Sequence, residues 1–182
     1  MDISVIIPVY NEAQNLNVLY ERLVNSVTSL TNNYELIFVN DGSKDASLAI
    51  LKSFAQQNTQ VRYIDFSKNF GHQLAVFAGL EYAKGAAVVI IDADLQDPPE
   101  LIRDLYAKLK EGYEVVYAQR EHRKGESWHK LITAKLFYRF INRMSEVPIP
   151  MDTGDFRIFT KKINDLIVSM PEQNKFLRGQ IA

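Results

Sequence analysis

The sequence predicts an α/β fold, with a mostly parallel central sheet and helices on both of its faces. Three observations carry this expectation. Short aliphatic runs of six or seven residues alternate with longer stretches whose apolar residues recur at helical spacing. Several runs are continuously apolar, as strands covered on both faces are. Each of the first four runs ends in a polar cluster, "PVYNE", "VNDGS", "SKNFGH" and "DADLQ" in turn. In open α/β sheets ligands bind beyond the carboxyl ends of the strands, so these clusters mark the edge where chemistry belongs.

The elements follow in order. "ISVIIPV" (3–9) is the first strand, and Leu16, Leu19, Tyr20, Leu23, Val24, Val27 and Leu30 then set a helix. "YELIFVN" (34–40) is the second strand, after which Ser43 is a candidate cap for a helix carrying Leu48, Leu51 and Ala55. "VRYIDF" (61–66) is the third, followed by a helix over 71–83. "AAVVIID" (86–92) is the fourth. Pro98 and Pro99 open a helix whose inner stripe is Leu101, Ile102, Leu105 and Leu109, and "YEVVYA" (113–118) is a further strand. Trp128, Ile132, Leu136, Phe140 and Met144 fall every fourth residue, predicting a helix over 127–144 with a bulky apolar face. "VPIPMDTGDFRIF" returns to loop and strand, and "TKKINDLIVSM" to a short helix.

The 182 residues suit one domain, long enough to bury roughly two-thirds of its unfolded surface. Cysteine is absent, which excludes disulfides, thiolate metal sites and thiol nucleophiles. The net charge of -1 gives no global basic field, so the sequence does not read as a nucleic-acid binder. The N-terminus carries no basic leader, and the longest aliphatic run, "AAVVII" (86–91), falls far short of the ~20 residues that cross a bilayer. Basic charge is local. Residues 119–143 hold seven Lys or Arg against two Glu.

The opening question of chemistry is the pair Asp92 and Asp94, set immediately after a buried strand. Residues i and i+2 share one side of a continuing strand, and the turn that Gln96 with Asp97-Pro-Pro predicts can bring both carboxylates to one point. Paired hard oxygens suit Mg²⁺ or Mn²⁺ held jointly with substrate phosphates. A bare D-x-D is equally a cap beside a solvated carboxylate. Asp41, before the tight turn that Gly42 permits, and Glu12 with Asn11 lie at the same sheet edge, where Asn11 and Ser43 are also candidate caps. Carboxylates gathered there repel at a cost on the order of 1 kcal/mol per pair at an effective dielectric near 20. A cation or the donors of a ligand would relieve it.

"PVYNE" (8–12), "VNDGS" (39–43), "SKNFGHQ" (67–73), "DADLQDPPE" (92–100) and "TGDFR" (153–157), in this order, closely resemble family 2 glycosyltransferases of the GT-A fold. More narrowly, the chain resembles the polyisoprenyl-phosphate glycosyltransferases, the dolichol-phosphate mannose synthase branch and its bacterial relatives. The resemblance implies a Rossmann-like sheet and a single catalytic domain over 1–182, with 1–97 binding the nucleotide sugar and 98–182 the acceptor. It implies that Pro8, Tyr10, Glu12, Asp41 and Asp92 bind the donor nucleotide. Asp92, Asp94 and Gln96 would hold Mg²⁺ or Mn²⁺ with the diphosphate, and Asp94 and Asp155 would be the catalytic pair. Arg120, Arg123, Lys130 and Thr133 are implied for the acceptor's phosphate. His72 stands where several relatives carry a basic residue, with its role open.

The implied reaction is an inverting, metal-dependent hexosyl transfer from a nucleotide-diphosphate sugar to an undecaprenyl or dolichyl phosphate. It would take place at the cytoplasmic face of a membrane. The alternative is extension of a soluble or cell-surface glycan by the same donor site. Relatives continue into amphipathic and transmembrane helices beyond "NKFLRGQIA", so the chain reads as a truncated soluble portion with Arg178 towards the membrane. The basic stretch 119–143 suits an anionic lipid headgroup at the bilayer surface, and a homo-oligomer is left open. Two more distant readings compete. A nicotinamide-dependent oxidoreductase is opposed by the absence of G-x-G-x-x-G after the first strand. A non-catalytic nucleotide-binding module is opposed by the D-x-D-x-Q together with Asp155.

Overall fold

The computed structural model describes residues 1–119 and 153–171. The apolar runs form strands β1 (Ile3–Val9), β2 (Tyr34–Asn40), β3 (Val61–Asp65), β4 (Ala87–Ile90), β5 (Val115–Gln119) and β6 (Thr153–Thr160). Between them lie helices α1 (Leu16–Thr28), α2 (Ser47–Gln57) and α3 (His72–Tyr82). A 3₁₀ turn (Pro99–Leu101) leads into α4 (Ile102–Lys110), and α5 (Lys161–Ser169) follows β6. Proline opens the 3₁₀ turn because its missing N–H costs nothing in a first turn.

The six strands lie in the order β3-β2-β1-β4-β6-β5. β1 pairs in parallel with β2 and β4, and β2 with β3. β6 runs antiparallel between β4 and β5. Strand alternation then divides the core into two layers. One layer packs Leu16, Leu19, Leu23, Leu51, Phe54, Ile102 and Leu105 of α1, α2 and α4 against Ile3, Val5, Ile7, Leu36, Phe38 and Val89. The other packs Ala75, Val76, Phe77 and Leu80 of α3 and Ile167 of α5 against Ile6, Ile37, Val39, Val88, Ile90 and Phe159. Gly79 lets α3 settle on β1, since a Cβ there would lie 2.3 Å from Ile6 Cγ2.

Three expectations are corrected. Ser43 caps no helix: α2 starts at Ser47, whose N–H donates to Asp45 Oδ1 at 2.9 Å. Asn11 caps none either, because α1 begins five residues later, at Leu16, with no side-chain cap. Leu101 is not on the inner stripe of its helix but 37% exposed, because the 3₁₀ turn rotates it away from the face that buries Ile102 and Leu105. The predicted helix over 127–144 lies outside the described residues. No helix among those described is long and apolar enough to cross a membrane.

The amino ends of the strands are tied by a polar knot remote from the ligand edge. Glu35, 2% exposed, accepts from Ser4 Oγ (2.6 Å) and the Lys84 N–H (2.8 Å) and pairs with Arg62 (3.0 Å). Ser4 Oγ accepts in turn from the Gly85 N–H at 2.7 Å. Without Glu35 the Ser4 hydroxyl would lose its acceptor and Arg62 its carboxylate partner. Glu35→Ala is therefore expected to cost about 2–4 kcal/mol in urea denaturation. Nucleotide affinity of the folded fraction, read by calorimetry, should stay unchanged.

Candidate active site

The loops at the carboxyl ends of β1, β2 and β3 are laced together by side chains that cap no helix. The N–H groups of Asn11, Glu12 and Ala13 donate to Ser43 Oγ (2.9 Å), Ser47 Oγ (3.0 Å) and Asp45 Oδ2 (3.0 Å). Asn11 Oδ1 accepts from the Lys44 N–H at 2.8 Å, with Asn11 itself in the left-handed region at φ 57°. The third loop is joined by Asp41, 3% exposed, whose two oxygens accept from the N–H groups of Phe70 (2.7 Å) and Gly71 (3.0 Å). Gly42, at φ +66°, lets the two loops touch, since a Cβ would meet the Lys68 backbone at 2.3 Å. Such cross-bracing fixes a ligand-binding edge before any ligand arrives.

A cavity of about 310 Å³ opens over this edge, within the range of small-ligand sites. Pro8, Tyr10, Glu12, Asp41, Asp92 and Asp94 line it, joined by Asn69, Gly71 and His72. The turn after β4 is the one the sequence predicts. Asp94 Oδ1 accepts from the Gln96 N–H at 3.0 Å, and Leu95 takes φ 61°, so the chain doubles back instead of continuing as a strand.

The antiparallel insertion of β6 brings in Asp155. Ile90 lies opposite Arg157, so the same register carried two residues further sets Asp92 opposite Asp155. Both then share the face of Val88 and Ile90, the face that α3 covers. His72 is the first residue of α3. Its Nε2 stands 3.6 Å from Asp92 Oδ1 and 3.4 Å from Asp155 Oδ2. Behind Asp155, the buried Arg157 guanidinium approaches Oδ1 at 3.4 Å and lies over the Tyr117 ring.

Electrostatics at Asp92 follow from this crowding. Burial pushes its carboxyl up to about 6; His72 opposes the rise, and the carboxylates of Asp155, Asp94 and Asp97 add to it. Its buried Oδ1 accepts no hydrogen bond. Ligand atoms of His72, Asp92 and Asp155 lie within 4.8 Å of one another. An orphaned carboxylate oxygen beside an imidazole and a second carboxylate fits a divalent cation.

The description "Glycosyl transferase family 2" matches residues 4–167. The chain belongs to this family. An uncharacterized glycosyltransferase of Bacillus subtilis, YkcC, is 51% identical over 98% of the chain and 55% of its own length. The bactoprenol glucosyl transferase of Shigella phage SfV is 38% identical over 98% of the chain and 58% of its own length. The chain thus spans little more than half the length of these curated relatives. Among solved structures, glucosyl-3-phosphoglycerate synthase of Mycobacterium tuberculosis, with Mn²⁺, UDP and phosphoglyceric acid, aligns with a TM-score of 0.64 at 21% identity. That alignment covers 89% of this chain and 56% of the other. The fold is GT-A.

Within this family 2 domain, the residues expected at the donor site come together: Pro8, Tyr10, Glu12, Asp41, Asp92 and Asp94 share one cavity wall. Gln96 is exposed and is not among the lining residues. Asp155 joins through Asp92 and His72. Arg120, Arg123, Lys130, Thr133 and Arg178 lie outside the described residues. His72 was the group whose role the sequence left open, although its place one residue past the Gly71 turn set it at the ligand edge.

Asp92 makes the stability of the metal-free domain depend on pH. Its folded pKa is raised from 3.8 to about 6, so the folded state holds the proton more tightly than the unfolded chain. The stability this supplies is full below pH ~4 and is lost as pH rises through ~6, a difference of roughly 1–3 kcal/mol. In chelator, Asp92→Asn should remove that fall and raise the thermal midpoint above pH 7, measured by calorimetry from pH 4 to 8.

Proposed function

We propose that this chain forms one catalytic domain of an enzyme that moves a sugar from a nucleotide diphosphate sugar to a polyisoprenyl phosphate, with inversion at the anomeric carbon. Residues 1–97 take the donor and 98–182 the acceptor. The observation that carries the reading is the acidic cavity spanning the ends of β1, β2 and β4, with Asp155 from β6 beside its His72 wall. The bactoprenol glucosyl transferases at 37–38% identity support the acceptor class, and the UDP and Mn²⁺ of the mycobacterial neighbour support the donor class and the ion.

The positions of the cavity residues support a part for each. Pro8 and Tyr10 offer an apolar wall for the base, with Tyr10 44% exposed and available to stack. Asp41 retains lone pairs beyond the two backbone N–H groups it holds, so it can accept from a base or ribose while fixing the loop. Glu12 stands beside it. Asp92, Asp94 and Gln96 would hold Mg²⁺ or Mn²⁺, which when bound neutralises the donor diphosphate and stabilises the charge of the departing nucleotide.

The acceptor needs no strong base. A phosphate monoester has its second pKa near 6 and is already an anion at neutral pH. Asp155, held at Oδ1 by Arg157, is therefore a positioning group at the reacting centre. Arg120, Arg123, Lys130 and Thr133 supply the cationic and hydroxyl groups that receive the acceptor's phosphate, placing the reaction at the cytoplasmic face of a membrane.

The test is transfer by the intact protein in detergent, with UDP-glucose and other nucleotide sugars, offered undecaprenyl phosphate or a water-soluble glycan. The expected product is an acid-labile lipid-linked sugar that forms only with the lipid phosphate. Transfer to the soluble glycan alone would overturn the acceptor. Asp94→Asn is expected to lower kcat/KM about 10²- to 10³-fold, since it weakens stabilisation of the leaving diphosphate.

A further inference from the structure

We infer that His72 is a ligand of the divalent cation, joining Asp92 and Asp155 around one ion, and that it tilts the site towards Mn²⁺ over Mg²⁺. The inference deepens the transferase reading and rests on it, because that reading supplies the ion.

Geometry is the first argument. Bonds of about 2.0–2.2 Å to one ion set neighbouring donors roughly 2.9–3.6 Å apart in octahedral or tetrahedral arrangement. His72 Nε2 lies 3.6 Å from Asp92 Oδ1 and 3.4 Å from Asp155 Oδ2. The first separation is too long for a hydrogen bond and the second is at its limit, yet both match an edge of a coordination polyhedron. The same oxygen of Asp92 that faces His72 is buried and accepts no hydrogen bond.

The fold explains why these three meet. Antiparallel register puts Asp92 and Asp155 on one face of the sheet, and α3, packed on that face, begins with His72. Asp41 fixes the turn just before it by holding the Phe70 and Gly71 N–H groups. Arg157, buried behind Asp155, approaches Oδ1 at 3.4 Å, while Oδ2 stands 3.4 Å from His72 Nε2. A ligand backed by a hydrogen-bonded partner of this kind is how metal sites orient their first shell. The ion would then lie between the ends of β4 and β6, with Asp155 holding it from the β6 side.

Ligand chemistry sets the choice of ion. Mg²⁺ demands oxygen donors and gives up its waters reluctantly, whereas Mn²⁺ accepts carboxylate and imidazole together. Replacing one oxygen ligand by His72 nitrogen penalises Mg²⁺ more.

The experiment is pulsed electron paramagnetic resonance of Mn²⁺ bound to the intact protein, purified without a histidine tag, with and without UDP. A ¹⁴N modulation that changes to a ¹⁵N pattern when the protein carries [¹⁵N]histidine is expected, and it should vanish in His72→Gln. In titrations the same variant should weaken Mn²⁺ binding at least about tenfold while changing Mg²⁺ binding far less. Circular dichroism checks that the variant is folded. Mn²⁺ bound with UDP but without nitrogen modulation in the unsubstituted protein would overturn the inference and leave the transferase reading standing. Failure of UDP to bind with either ion would instead overturn the transferase reading, and the inference with it.

Discussion

A partly buried carboxylate crowded by three others is the constraint around which the ligand edge is organised. Asp92 follows a strand that is buried at every position and flanked on both sides, by β1 and by β6. Its side chain keeps 29% of its surface exposed, yet its Oδ1 is buried at a cost in lost solvation. Its neighbours Asp94, Asp97 and Asp155 raise the cost further. A chain selected for stability alone would place an amide or an apolar group here. The persistence of the charge, with one oxygen unpartnered, is the kind of local deficit that functional sites carry and that a well-packed core offsets.

That offset requires the surrounding loops to be rigid, because mobile loops would let water in or the carboxylates move apart. Rigidity comes from side chains diverted from helix capping. α1, α2 and α3 all start without a side-chain cap, which forgoes on the order of 1 kcal/mol at each. Asn11, Ser43 and Ser47 bond between loops, Asp45 does so through Oδ2 while its Oδ1 holds the first N–H of α2, and Asp41 joins the third loop to the other two. Each bond contributes about 1 kcal/mol, but the set fixes relative positions that no single cap could. Local helix stability is exchanged for preorganisation of the cavity.

The sequence revealed those parts of the molecule that depend on local pattern. β1 and β2 fall on the residues their apolar runs predict, and the turn after Asp94 follows from the polar cluster and prolines that come next. What it concealed was pairing between distant segments. No periodicity says that Thr153–Thr160 enters between β4 and β5, or that it runs antiparallel. Ser43 and Asn11 were misread for the same reason: a residue suited to capping is equally suited to bonding a loop thirty residues away, and only the tertiary fold decides. Leu101 failed because a 3₁₀ turn advances faster per residue than the α-helix assumed for it.

The insertion of β6 also changes what the sheet can do. In a purely parallel sheet, neighbouring strand ends at the ligand edge arrive from crossovers with the same sense, and each contributes the start of a loop. An antiparallel strand contributes its beginning there instead, so Asp155 enters from β6's own first residues, opposite the end of β4. Its position is thus fixed by the ladder that holds Ile90 to Arg157 and not by a long loop. Arg157, one alternation further along, is buried beneath it as a counter-charge. The ladder ends at Ile90 and Arg157, and the two carboxylates stand two residues beyond it on either side of His72. The helix on that face can add only what its first turn carries, and in this chain that residue is His72.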